Sequence, residues 1–422
     1  MSTTRRNFLT HSLGTSALLS LFPSVPAFLH CTAAAAETQR NTNDTILVVV
    51  QLAGGNDGLN TVVPYGDDLY AKNRHTLRLS AKEVLKIDKL LGFHPEMKGF
   101  RRLFDEGLLT VVQGVGYPNP NESHDTSMRI WQTAQPERPA CQTGWLGRTA
   151  DMLACSDQAD IPAMFVGQIA RPLTLNAQRT ITPSLRTLPD AVLRVPAGPE
   201  ADQARRRLVE AASLPRTDGQ NPLFQLVAQR TATAYAVSER ISRVAQASTA
   251  AEYSPSQLAG MLRTIAQLIR ADLGIRIYHT ELGGAEPGGF DNHANQRDNH
   301  AALLRQLSDA VAAFVEDLRS DRLLDRVVLM TFSEFGRTIA ENGRRGTDHG
   351  SAAPLFLAGG RFRGGLVGPH PSLGELEKGG LKHHTDFRRV YATLLDSWLG
   401  VDSLAVLGGK FEPLDLSGLA KK

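Results

Sequence analysis

The chain has 422 residues and only three cysteines, Cys31, Cys141 and Cys155, which excludes a fold stapled by several disulfides. A surplus of positive charge is also missing. The 46 Lys and Arg residues stand against 43 Asp and Glu, so no basic field is available for a nucleic-acid partner. Long apolar runs are scarce. The stretch from Leu13 to Leu29 contains Pro23 and Pro26 and makes a poor spanning helix, so no stable membrane anchor is expected. No Gly-Lys-Ser/Thr ending follows the glycine-rich segment after the first strand, which excludes a phosphate-binding P-loop. There is no internal repeat.

What is present starts at the N-terminus. Arg5-Arg6, then Phe8-Leu9, then a moderately apolar run with Gly and Ser read as a twin-arginine export signal over residues 1–36. The cleavage expected after Ala36 would leave residues 37–422 as a single domain, periplasmic or otherwise exported. The twin-arginine translocase is then a transient partner. A retained anchor is the alternative. A lipid on Cys31 is opposed by the bulky His30 before it. Twin-arginine cargo travels folded, often with its cofactor or metal already bound. Loss of Arg5 and Arg6 brings the mature chain still closer to charge balance. Cys141 and Cys155 can pair in an oxidising compartment or remain two thiols.

Thr45–Leu52 ("TILVVVQL") has the length and β-branched content of a central buried strand. Helical spacing follows over Phe93–Glu106, Ser256–Asp272, Asn295–Ser320 and Asp386–Leu399, with apolar strand-length runs between. Strands alternating with helices predict an α/β fold, a mostly parallel central sheet covered by helices on both faces. Residues from about 176 to 255 are rich in Arg, Ala, Gln and Thr and read as a mainly helical insertion.

In such folds chemistry gathers at the carboxyl ends of the strands, and the polar clusters fall there. Asp57 lies in "GGNDGLN" after the first strand, either a metal-ligating carboxylate or a plain Asp-Gly turn. Asp291 and His293 in "GGFDNH" are two apart, so an extended backbone points both the same way, an oxygen and an imidazole for one metal. Glu334 in "FSEFGRT" ends an apolar strand as ligand, base or partner of Arg337, whose planar fork can instead grip an anion. Asp348-His349 sits between glycines in "GTDHG", where adjacent ligands can converge. Carboxylates and imidazoles recurring at successive turns suit a site of one or two divalent ions, with zinc, manganese, iron and calcium all open.

"LVVVQLAGGNDGLNTVVPY", "SHDTSMRIWQTA", "GGFDNH", "SEFGRT" and "GTDHG" together resemble a large bacterial family of twin-arginine-exported proteins of unknown function. That family is similar to the alkaline phosphatase and sulfatase superfamily, binuclear metallohydrolases of phosphate and sulfate esters. The resemblance implies an alkaline-phosphatase-like fold, a small anionic ester substrate, and Asp57, Asp291, His293, Glu334 and His349 as ligands. Asp348 would be a further ligand or would orient His349. It implies a hydroxyl nucleophile at a helix start, for which Ser123 is the candidate, although His124 occupies the expected spacing from Thr133. Arg337 would hold the anionic oxygens. Two departures matter. Phe335 stands where a ligating His is expected, and the Cys-x-Pro-x-Arg signature of formylglycine sulfatases is absent. The alternative is a binding or assembly protein on the same fold with a depleted metal site.

Overall fold

A computed structural model describes residues 44–154, 161–188, 251–283, 289–361 and 364–416, with the single positions 203, 242, 243 and 245. The export signal, Cys155 and most of the expected helical insertion lie outside the described residues. Among the described residues Cys141 is a free thiol, and no helix is long and apolar enough to cross a membrane.

The first strand is β1, Ile46–Leu52, every residue of which is buried. Such a strand needs apolar neighbours on both faces, and its side chains alternate accordingly. Ile46, Val48, Val50 and Leu52 enter one core, and Leu47 and Val49 enter another. Leaving aside short strands of two small sheets, the strands that follow are β2 (Leu109–Gly116), β3 (Ala163–Val166), β4 (Ser184–Leu185), β5 (Ile277–Leu282) and β6 (Val327–Phe332). Then come β7 (Arg337–Glu341), β8 (Thr347–His349), β9 (Ala353–Gly359), β10 (Gly365–Val367) and β11 (Thr385–Asp386).

Nine strands form one sheet in the order β10-β2-β9-β6-β1-β5-β3-β4, with β11 also pairing with β2. β1 runs parallel to β5 and β6, and β3 runs parallel to both β4 and β5. Among the described strands of this sheet, only β9 opposes its neighbours, β2 and β6. The expected mostly parallel sheet is therefore present, with helices on both faces. On the first face lie α1 (Lys98–Asp105), α4 (Gln257–Ala271) and α5 (Gln296–Ser320). On the second lie α2 (His124–Thr133), α3 (Trp145–Leu153) and α6 (Phe387–Thr393). Trp131 stacks on Phe387, and Trp145 on Tyr391, filling the second core with flat rings.

The site is positioned by three neighbouring strand ends. The loop after β1 is stitched to the segments after β5 and β6, since Phe290 N–H donates to Ala53 O and Asn56 N–H to Ser333 Oγ. Gly54 is the tightest point. Its φ is +111° and a Cβ there would sit 2.5 Å from Asp291 N, so only glycine allows the two loops to touch. Arg337 and Thr338 of "SEFGRT" open β7, and Thr347–His349 of "GTDHG" form β8, in an antiparallel hairpin that pairs Arg337 with His349. Long-range pairing decides this, and three-residue β8 has no periodic signature of its own. The hairpin docks on the β5 segment through Thr347 N–H to Asn292 O and Asn295 N–H to Arg344 O.

Candidate metal centre

Four side chains meet at the carboxyl ends of β1, β5 and β6. Donor atoms of His124, Asp291 and His349 all lie within 4.8 Å of one another. Asp291 Oδ1 is 3.4 Å from His124 Nε2, 3.2 Å from His349 Nε2 and 3.0 Å from His293 Nε2. His293 Nε2 is also 3.0 Å from His349 Nε2.

The opposite ring nitrogens fix the tautomers, because each Nδ1 faces an acceptor. His124 Nδ1 donates to Glu334 Oε1 at 2.8 Å, His349 Nδ1 to Glu122 O at 2.6 Å, and His293 Nδ1 to Asp348 Oδ1 at 3.1 Å. Three Nε2 lone pairs and one carboxylate oxygen are then aimed at each other. His124 Nε2 is buried without a hydrogen-bond partner. Acceptors this close repel unless a cation lies among them: a proton on an imidazole, or a metal ion. The spacing fits a metal. Tetrahedral bonds of roughly 2.0–2.2 Å give donor separations of about 3.3–3.6 Å, and Asp291 Oδ1 lies 3.4 Å from His124 Nε2 and 3.2 Å from His349 Nε2, the two imidazoles that share a mutually close set with it. Imidazole anchored through Nδ1 by a carboxylate or carbonyl is also the usual support of a metal ligand.

Charge around the centre follows the same geometry. Partial burial raises the Asp291 pKa, but the Arg337 hydrogen bond and charge outweigh it, and the carboxyl is held at about 2. The Glu334 hydrogen bond pushes the His124 pKa upward, against its desolvation. Hydrogen bonding from Asn342 lowers Asp348, and His293 adds to that.

Several residues expected at the site have other work in the fold. Asp57 is buried and faces Arg74, with Nη1 to Oδ2 at 2.6 Å and Nη2 to Oδ1 at 3.0 Å. Gln296 Nε2 also donates to Oδ2, so both carboxylate oxygens are spoken for and Asp57 braces the fold instead of joining the cluster. The guanidinium of Arg337, expected to hold an anion, is turned to main-chain carbonyls and Asp291. Arg337 is 2% exposed, and its guanidinium donates to the carbonyls of Gly55, Gly54, Thr347 and Phe290 and, at 2.7 Å, to Asp291 Oδ1. It positions Asp291. Glu334 stands behind His124, and also accepts from Gly54 N–H at 2.8 Å. Asp348 orients His293, not His349. Asp291, His293 and His349 come together. Phe335, 1% exposed, floors the cluster with its ring centroid 4.9 Å from that of His124 and 4.6 Å from that of His349.

Ser123 occupies the N-cap position of α2, but its side chain makes no capping bond and is exposed. The next residue, His124, is the one that sequence reading left out of the ligand set. Its only signal was its spacing from Thr133. Its partners Glu334 and Asp291 are 210 and 167 positions away, which no local pattern reveals.

A family profile described as "Protein of unknown function (DUF1501)" matches residues 109–406. The chain belongs to the DUF1501 family. No curated protein matches it. Among solved structures, the family member is similar to the zinc complex of the C-terminal periplasmic domain of EcEptC from Escherichia coli. The identity is 13% over 76% of this chain and 74% of that one, with a TM-score of 0.36. The lipoteichoic acid synthase LtaP from Listeria monocytogenes has 8% identity over 84% and 79%, with a TM-score of 0.32. The alkaline phosphatase of the Antarctic bacterium TAB5 has 10% identity over 76% and 92%, with a TM-score of 0.33. Likeness at this level leaves function to the side chains of the centre itself.

Proposed function

We propose that this DUF1501 protein is an exported metal-dependent hydrolase of phosphate, phosphodiester or sulfate esters. The observation that carries the reading is the convergence of three Nδ1-anchored imidazoles on the Asp291 carboxylate. His124, Asp291 and His349 would hold one divalent ion, with His293 beside them against His349. Nitrogen-rich ligands with one carboxylate suit zinc, iron or manganese and argue against calcium, which prefers oxygen. Such an ion supplies Lewis-acid stabilisation of a charged ester oxygen.

The chain's own residues do the rest. Arg337 holds Asp291 in place from behind, and Glu334 and the Glu122 carbonyl fix which nitrogens of His124 and His349 face inward. The uncapped Ser123 hydroxyl, one residue from His124 at a helix start, is the candidate nucleophile. There the free N–H groups of the first turn favour an alkoxide and an anionic substrate. Pairing of Asp57 with Arg74 favours a single ion over two, because the second carboxylate is neutralised by a guanidinium.

Metal analysis of purified residues 37–422, followed by assay of phosphomonoesters, diesters and sulfate esters with added zinc, manganese or iron, tests this. Stoichiometric metal with turnover of one ester class is expected. A protein that binds metal without turning over any ester supports the binding-protein alternative, and one that takes up no metal refutes the centre itself.

A further inference from the structure

Two of the three donors His124, Asp291 and His349 depend on one short segment. Tyr117–Ser123 joins the end of β2 to the start of α2 and lies in neither strand nor helix. It leads directly into His124, and its Glu122 carbonyl receives the Nδ1 proton of His349. Pro118 and Pro120 have no N–H to offer a ladder, so the main chain alone cannot fix the segment. Side chains do it instead.

A continuous chain of hydrogen bonds runs through them. Ser123 N–H donates to Asn121 Oδ1 at 2.8 Å, and Asn121 N–H donates to Tyr117 Oη at 2.9 Å. Tyr117 Oη lies 2.9 Å from Ser127 Oγ, which donates to Glu334 O at 2.5 Å. The direction is decided. A carbonyl only accepts, so the one Ser127 hydroxyl proton goes to Glu334, and the Tyr117 proton goes to Ser127. Ser127 N–H donates to Ser123 O at 2.9 Å, which closes the chain on the residue where it began. Tyr117 is 3% exposed and Ser127 0%, so water does not compete for these bonds. Burial also pushes the Tyr117 phenol above its ordinary pKa, which keeps its proton in the chain.

The far end of the chain is Glu334, whose carboxylate anchors the His124 ring. Its carbonyl therefore sets where α2 begins, and its side chain sets how the first imidazole of α2 turns. Both are referred to one residue beyond β6, the strand that pairs with β1. Resting on the metal-centre reading, we propose that Tyr117 and Ser127 are positioning residues of the centre. Their hydroxyls form a relay that holds His124 and His349 in register with Asp291, and neither touches the ion. Asp291 is braced separately, by Arg337. A displaced Tyr117–Ser123 segment would thus move two donors against a third that stays, because it carries one imidazole and the carbonyl anchor of the other.

The test is calorimetric titration of zinc and of manganese into wild type, Tyr117→Phe, Ser127→Ala and the double variant. Each single variant should bind metal roughly 10-fold more weakly, at the low end for loss of a partner that supports a ligand. The double variant should lose about as much as either single one, since both changes break the same relay. In zinc-loaded protein labelled with 15N-histidine, the ring signals of His124 and His349 should shift in Tyr117→Phe, with assignment from His124→Gln and His349→Gln. Tyr253→Phe is the control. It removes a hydroxyl that donates to Asp317 Oδ2 at 2.8 Å on α5, and should lower the melting temperature without weakening metal binding. If Ser127→Ala does not fold, Tyr117→Phe decides alone. Metal binding as tight as wild type in the relay variants overturns the proposal. So does an equal loss of affinity in Tyr253→Phe, because the effect would then be one of general stability. A wild-type protein that binds neither metal refutes the centre and the relay's role with it, a failure distinct from the other two.

Discussion

Replacing Asp57 with Asn gives the sharpest test of how the fold uses its conspicuous carboxylates. Asp57 and Arg74 are 3% and 0% exposed, joined by two short hydrogen bonds. Arg74 also donates to Ile339 O and Thr338 O, which ties the hairpin strand β7 to the helix at Asp68–Asn73. Asparagine keeps the shape but leaves a buried guanidinium without its counter-charge. The cost of breaking such a pair from one side is about 3–5 kcal/mol, roughly a fifth or more of the stability of an ordinary domain.

Acid should reproduce part of the effect. Burial raises the Asp57 pKa, but the charge and hydrogen bonds of Arg74 outweigh it and hold the carboxyl at about 2, below the ordinary 3.8. A depressed acid contributes stability that is fully present above the unfolded pKa. It is lost as pH falls from about 4 through about 2, and at roughly 1.4 kcal/mol per pKa unit this amounts to about 2–3 kcal/mol. Urea denaturation of wild type and Asp57→Asn from pH 2 to pH 7 measures both numbers. The two curves should converge as the wild type is protonated. A variant with unchanged stability at pH 7 and lost metal would refute the reasoning, because Asp57 would then be a ligand.

Other consequences arise from the same contacts. Glu334→Gln should weaken metal binding by about 10- to 100-fold with little change in overall structure, since it weakens the anchor of His124 while an amide oxygen can still accept from Gly54 N–H; calorimetric metal titration reads this. Ser123→Ala should abolish ester turnover while leaving metal content intact and shifting stability by less than about 0.5 kcal/mol, as no cap bond is lost; matched assays and melts check it. Burial pushes the Glu281 carboxyl up to about 7, so it destabilises the fold as pH rises from about 4.5 through 7. Glu281→Gln should therefore raise the melting temperature at pH 8.5 and not at pH 4.5, as thermal melts at the two values would show. Gly54→Ala should displace the Asp291 loop, where the added Cβ has 2.5 Å to the nearest atom, and metal titration should show lost binding in a protein that still folds.

The long elements were legible from local pattern. The run read as Asn295–Ser320 forms Gln296–Ser320, and the one read as Ser256–Asp272 forms Gln257–Ala271. Both carry enough turns of apolar periodicity to announce a buried face. The region of the site was legible too, because polar residues beside glycines at the ends of apolar strands stand out in sequence. The division of labour within it was not. Arg337 looked like an anion clamp and is a buried brace with main-chain partners at Gly54, Gly55, Phe290 and Thr347. His124 looked like a helix residue and points into the cluster.

The sequence alone determined that strands and helices alternate, and that carboxylates and imidazoles lie at the turns between them. Tertiary structure decided which of those groups meet each other and which meet a guanidinium. The reason is physical. A side chain's role here depends on what neutralises or orients it, and those partners, Arg74 for Asp57, Glu334 for His124 and Asp348 for His293, lie 17 to 210 positions away in sequence. Periodicity reports which face of an element is buried, but charge pairing reports only the neighbours that folding brings.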